Sequence, residues 1–173
     1  MMLGMSLATF TIFHTVLSLI GIAAGLIVMF GMWSSNRMPA MTAVFLITTI
    51  LTSVTGFMFP FKGFGPPHAV GVISLVVLLF TVLGLYVYHL AGRWRAIYVS
   101  TAVLALYLNT FVGVVQSFQK IPFLNQFAPK GNEPPFAIVQ AIVLVLFVLA
   151  GWRAVKLFHP REGIALRASA KLG

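Results

Sequence analysis

Four histidines and two glutamates, with no aspartate and no cysteine, are the chain's whole stock of imidazole, carboxylate and thiol chemistry. His14 and His68 fall toward one end of the long apolar runs, and His89 and His159 toward the other. Two imidazoles from facing helices at matched depth can ligate a b-type haem. His14 with His68, and His89 with His159, are therefore candidate axial pairs for electron transfer. His68, His89 and His159 sit at helix ends, where an imidazole also caps or snorkels without a cofactor. His14 alone is titratable inside an apolar run and suits a proton switch.

Carboxylate chemistry is poorly provided for. Glu133 lies in a linker and Glu162 in the C-terminal tail, so no apolar run carries an acid. That argues against carboxylate-driven proton or sodium transport. It also leaves hydrolytic metal sites and a Ser-His-Asp triad without their groups. Without cysteine there are no disulfides and no thiolate ligands. The residues point away from an enzyme.

Amides and hydroxyls form a second constellation. His14, Ser18, Thr55, Asn109, Gly113, Gln116 and Gln140 recur on helical faces rich in small residues. Counted at about 1.5 Å per residue from one common end, His14 lies roughly 8 Å deep, Asn109 roughly 13 Å, Gln140 roughly 6 Å and Gln116 roughly 3 Å. An unpaired amide or imidazole in hydrocarbon costs several kcal/mol. These groups must meet one another, water or a ligand. They define either a network that fixes helix register or a polar ligand pocket in one half of the bundle.

The elements that must position them are plain. The chain is 60% apolar and 8% charged, against about 25% charged in soluble domains. Apolar runs cover 9–31, 41–59, 69–90, 96–118 and 136–157. Each reaches the roughly 20 residues a spanning helix needs. The expected fold is all-α: a polytopic membrane bundle of five helices over residues 1–158, with a short basic tail at 159–173. Pro39, Pro66 with Pro67, and Pro134 with Pro135 mark helix starts, where a missing N–H costs nothing. The first run lacks the basic flank of a secretory signal and is too long for one.

In a bundle surrounded by lipid, small and polar residues mark the inward faces. On the fourth helix these are Ala102, Ala105, Asn109, Gly113 and Gln116. On the first they are Thr11, His14, Ser18, Gly21 and Gly25, with Gly21 and Gly25 in the GxxxG spacing that lets backbones approach.

Charge orients the bundle. Arg37, Arg93, Arg95, Arg153, Lys156, Arg161, Arg167 and Lys171 share one side, and Lys62, Lys120 and Lys130 the other. The positive-inside rule places the N-terminus outside and the C-terminus in the cytoplasm. The net charge of +9 thus speaks for anionic lipid under the basic tail rather than for nucleic acid. Phe57, Phe59, Phe61 and Phe64 gather at the outer side with Phe123, Phe127 and Phe136. They suit the interface, and could also line a site for a quinone or lipid tail.

The stretches Leu106-Tyr107-Leu108-Asn109-Thr110-Phe111, Val115-Gln116-Ser117-Phe118-Gln119-Lys120 and Glu133-Pro134-Pro135-Phe136 together carry a resemblance. The chain resembles uncharacterised small five-helix inner-membrane proteins of proteobacteria, a group without a named activity. That resemblance implies a bacterial inner membrane and transfers no site residues. Size and helix number are also similar to the translocator-protein family, whose tryptophan-rich pattern is missing here. The expected function is non-enzymatic: binding a small apolar or amphipathic molecule, or serving a membrane complex or homo-oligomer as a subunit. A haem-b or quinone electron-transfer protein is the alternative, and a small permease or channel comes third.

Overall fold

The computed structural model describes residues 4–59 and 65–160. Lys62, Phe61 and Phe64 of one linker, Met1 and Met2, and the tail residues Arg161, Glu162, Arg167 and Lys171 lie outside the described residues. Long helices dominate: α1 (Leu7–Trp33), α2 (Pro39–Gly56), α3 (Pro66–Val82), α4 (Trp94–Lys120) and α6 (Pro134–Leu157), with a four-residue α5 (Pro122–Asn125) before the last. A π-helical turn, Leu83–Val87, extends α3. Five helices are long and apolar enough to cross a membrane, the third counted as Pro66–Val87. This is the architecture of a multi-pass membrane protein.

Local chemistry sets the helix ends. Pro39, Pro66 and Pro134 open their helices as expected. Ser6 caps α1, its hydroxyl accepting from the Thr9 N–H. α2 stops at Gly56, short of the Phe59 expected from hydropathy, because apolar character continues past the helical hydrogen bonds.

The first four spans form a ring in which α1 meets α2, α2 meets α3, α3 meets α4, and α4 returns to α1. α6 packs outside that ring against α4 and α1, and does not touch α3. Two ends are thus defined. The first carries the start of α1 and the α2–α3 and α4–α6 links. The second carries the α1–α2 and α3–α4 links and the end of α6.

The core lies between α1, α2 and α4. Phe45, Met32, Leu106 and Val99 are essentially inaccessible there. Gly25 is why these helices come so close: a Cβ on it would stand 2.5 Å from Leu106 Cδ1 and 2.9 Å from the Phe45 ring. The space that remains beside Gly25, Phe45 and Ala102 admits no water.

α6 is different. Only 6% of its apolar window is buried, against 33–39% for the other four spans. Its outward face, with Ile138, Ile142, Val145 and Leu149, is exposed.

Candidate functional site

The polar residues of the spans satisfy themselves mostly at home. Thr11, Thr48, Thr52, Thr81, Thr101 and Thr110 each donate to the carbonyl four residues earlier. Such back-bonding is how a hydroxyl survives in hydrocarbon without a partner helix. Inward placement of threonines is thus a packing feature.

Within the expected polar layer, three links cross between helices. His14 Nδ1 lies 2.8 Å from Thr55 Oγ1, joining α1 to α2. The Thr55 hydroxyl proton already goes to the Leu51 carbonyl at 2.7 Å. An Nδ1–H turned toward Thr55 is the arrangement that leaves the hydroxyl's bond to Leu51 undisturbed. Phe59 stands edge-on to the same ring at 5.2 Å and to Phe10 at 5.1 Å.

The second link is a two-point clamp between α1 and α4. Ser18 Oγ donates to Asn109 Oδ1 at 2.7 Å, and Asn109 Nδ2 donates to the Ser18 carbonyl at 3.3 Å. Gly21 lies beneath it: a Cβ there would sit 3.1 Å from Asn109 Nδ2 and 3.1 Å from Thr49 Oγ1. The missing side chain leaves room for both groups beside the α1 backbone. Thr49 Oγ1 is itself buried without a partner among the described residues.

In the third link, Gln140 Nε2 donates to the Phe111 carbonyl at 3.2 Å, tying α6 to α4. Its Oε1 is buried and unpartnered among the described residues.

The expected layer thus resolves into pairs. His14 joins Thr55, and Ser18 joins Asn109. Gln140 reaches backbone rather than either pair. Gly113 lets Ile22 approach, at 3.4 Å from where its Cβ would be. Gln116, two turns beyond Asn109, is exposed.

The histidines are spread out. His68 Nδ1 accepts from the Gly65 N–H at 3.3 Å at the start of α3, and its ring lies 6.0 Å from that of Phe57. α1 and α3 are not neighbours, and α2 packs against both. His89 is exposed in a left-handed conformation, φ 46°. His159 is exposed, and its backbone N–H donates to Ser35 Oγ at 3.0 Å. Among the described residues no group of three metal-binding side chains forms.

Comparison with protein-family models, curated proteins and solved structures finds no match.

A feature the sequence did not announce lies on the other side of α4. Because α6 reaches α4 but not α3, a groove of about 360 Å³ opens along the α4–α6 seam. Ser100, Leu104 and Tyr107 of α4 form one wall, and Leu144, Val148 and Trp152 of α6 the other. Its surface is overwhelmingly apolar. Gly151 and Val103 make the floor, where a Cβ on Gly151 would come within 3.2 Å of Val103 Cγ1. The one faint signal in the sequence was Gly151, a lone glycine in an aliphatic helix.

The second end of the bundle holds α6 in place. Arg95 Nη1 donates to the carbonyls of Val155 at 2.8 Å and Phe158 at 2.7 Å. These are last-turn carbonyls with no partner in the helix, at the negative end of its dipole. Ser35 Oγ donates to the Leu157 carbonyl at 2.6 Å, and Trp33 Nε1 to the Ala150 carbonyl at 3.2 Å. Arg153 lies over the Trp33 ring at 5.1 Å, and Lys156 over Trp152 at 3.8 Å.

Proposed function

We propose that this chain is a non-enzymatic inner-membrane protein that binds an apolar or amphipathic molecule in the groove between α4 and α6. The carrying observation is the groove itself: about 360 Å³, apolar-walled, floored by a glycine and opening toward the surroundings of the bundle. Small-molecule sites are concave, mostly apolar, and 300–1,000 Å³ in typical size. By contrast, His14 Nδ1, the Ser18 hydroxyl and the Asn109 amide are engaged in helix–helix bonds, which favours a register-setting role for that layer.

The bundle is inserted with its N-terminus outside and its second end at the cytoplasm. The excess of Arg37, Arg93, Arg95, Arg153 and Lys156 at that end supports this orientation. The resemblance to proteobacterial inner-membrane proteins supports a bacterial inner membrane. Haem between His14 and His68 has less support, since α2 packs against both helices that carry them.

Native mass spectrometry of the protein extracted gently from its membrane tests the reading. The wild type should retain a small hydrophobic adduct, and Leu104→Trp, which fills the groove from its exposed wall, should lose it. Loss of the adduct in Asn109→Leu with retention in Leu104→Trp would move the site to the polar layer.

A further inference from the structure

The groove has two unlike ends, and the register of its helices shows what each offers. Val103 meets Gly151, and the Tyr107 and Phe147 rings lie 5.8 Å apart. The two helices run antiparallel, so Ser100 is level with Ala154, near the second end of the bundle. Trp152 lines the groove at this mouth, and Lys156 Nζ sits 3.8 Å from the centre of its ring. Arg95, bonded to the carbonyl of the groove residue Val155, adds positive charge at the same level. Ser100 is exposed in the wall beside them. Away from the mouth, Leu144, Phe147 and Val148 offer only hydrocarbon and ring faces.

Among the described residues no carboxylate balances this mouth. Glu133 stands at the opposite end of α6, and the only other acid in the chain, Glu162, lies beyond the described residues. Lys156 is exposed and engages an aromatic face rather than an anion. A lysine folded over tryptophan keeps its ammonium hydrogens available to an incoming oxyanion. Basic charge above a long apolar slot is the complement of an anionic headgroup with an acyl chain.

From this we infer that the groove binds an anionic phospholipid of the surrounding bilayer. One acyl chain lies along the α4–α6 seam, and the phosphate lies against Lys156, with Arg95 and Ser100 alongside. This rests on the proposed groove function and specifies its ligand.

The test uses the full chain reconstituted in vesicles of equal phosphatidylglycerol and phosphatidylcholine with matched acyl chains. Lipid retained on the protein is then counted by native mass spectrometry. One basic residue near a membrane surface corresponds to about a fivefold preference for the anionic lipid. The wild type should show at least that. Lys156→Gln should bring the preference close to unity while total retained lipid stays the same. Lys130→Gln, at the other end, should leave the preference intact. Leu104→Trp should abolish retention of both lipids.

Equal retention of the two lipids by the wild type overturns the anionic assignment and leaves the groove function standing. So does a preference that survives Lys156→Gln. Retention of neither lipid by the wild type overturns both. A lipid-free dimer that Leu104→Trp converts to monomer also overturns both, and assigns the groove to a second copy of the chain.

Discussion

Helix α4 presents two seams of opposite construction. Toward α1 it is closed over the stretch from Ser18 to Gly25: Gly25 admits Leu106, Gly21 admits Asn109, and Ser18 clamps Asn109 from both of its amide atoms. Toward α6 it is pinned near its ends and open between. Gln140 holds one end through the Phe111 carbonyl, and Arg95 the other through Val155 and Phe158. The middle of that seam is the groove. The first seam pairs a side chain with a side chain and a carbonyl, and the second relies on backbone carbonyls alone. Carbonyl anchors hold a helix in place without filling the space between anchors, so a helix can be fixed and still leave a slot beside it.

The closed seam is most vulnerable at Gly25. Gly25→Val would drive a branched side chain into Phe45 and Leu106, in a place with no room for water. Overpacking of this kind costs about 3 kcal/mol. The midpoint of unfolding in detergent should fall accordingly. Gly151→Ala, on the open seam, should cost clearly less, since the added methyl meets only Val103 at 3.2 Å. Equal losses in the two variants would mean that the seams are alike.

Arg95→Ala comes next. It removes charge-assisted bonds to two carbonyls at the end of α6, worth about 1.5–3 kcal/mol. Most of that should appear locally. Exchange of the amides in the last turn of α6 should accelerate, while those around Asn109 keep their protection. Uniform loss of protection would show α6 to be an integral part of the ring.

Asn109→Leu should be milder, because hydrogen bonds between membrane helices average about 0.6 kcal/mol. Stability should drop by about 1 kcal/mol, since Ser18 Oγ loses its acceptor. Lipid retention in the groove should not change. A fall in retention without a fall in stability would return the ligand to the polar layer.

The spans and their inward faces were legible in the sequence because hydropathy and proline placement act locally. Runs at 9–31 and 136–157 lie within α1 and α6, and Ala102, Ala105 and Asn109 share a buried face as their spacing required. Which polar groups pair is not local. Ser18 meets Asn109 where Gly21 leaves room for the amide, and Gln140 turns to a backbone carbonyl that has no mark in a sequence. The π-turn at Leu83–Val87 and the Arg95 anchor were hidden for the same reason: both depend on where a neighbouring helix ends. The groove is harder still to foresee, since it follows from α6 failing to reach α3.

The smallest effect belongs to Glu133, and it separates the two ends of α6. Its carboxylate accepts the Lys130 N–H at 2.9 Å and the Asn132 N–H at 3.1 Å, shaping the turn from which Pro134 starts the helix. The backbone bond from Lys130 is the chief reason its pKa lies below the ordinary carboxylate value. A depressed folded pKa means that the unfolded chain takes up the proton first. The contribution is therefore complete above the unfolded carboxylate pKa, about 4.3 for glutamate, and is lost as pH falls through the lower folded value. The group is fully exposed, so the effect is confined to its own turn. Amide exchange at Lys130 and Asn132, corrected for its intrinsic pH dependence, should rise on acidification in the wild type. In Glu133→Gln it should be raised already at neutral pH and change little in acid. The Arg95 end, held by bonds to backbone carbonyls, should be silent across the same range. If the Val155 and Phe158 amides respond in step with Lys130, α6 moves as one rigid rod, and its two anchors cannot be counted as independent.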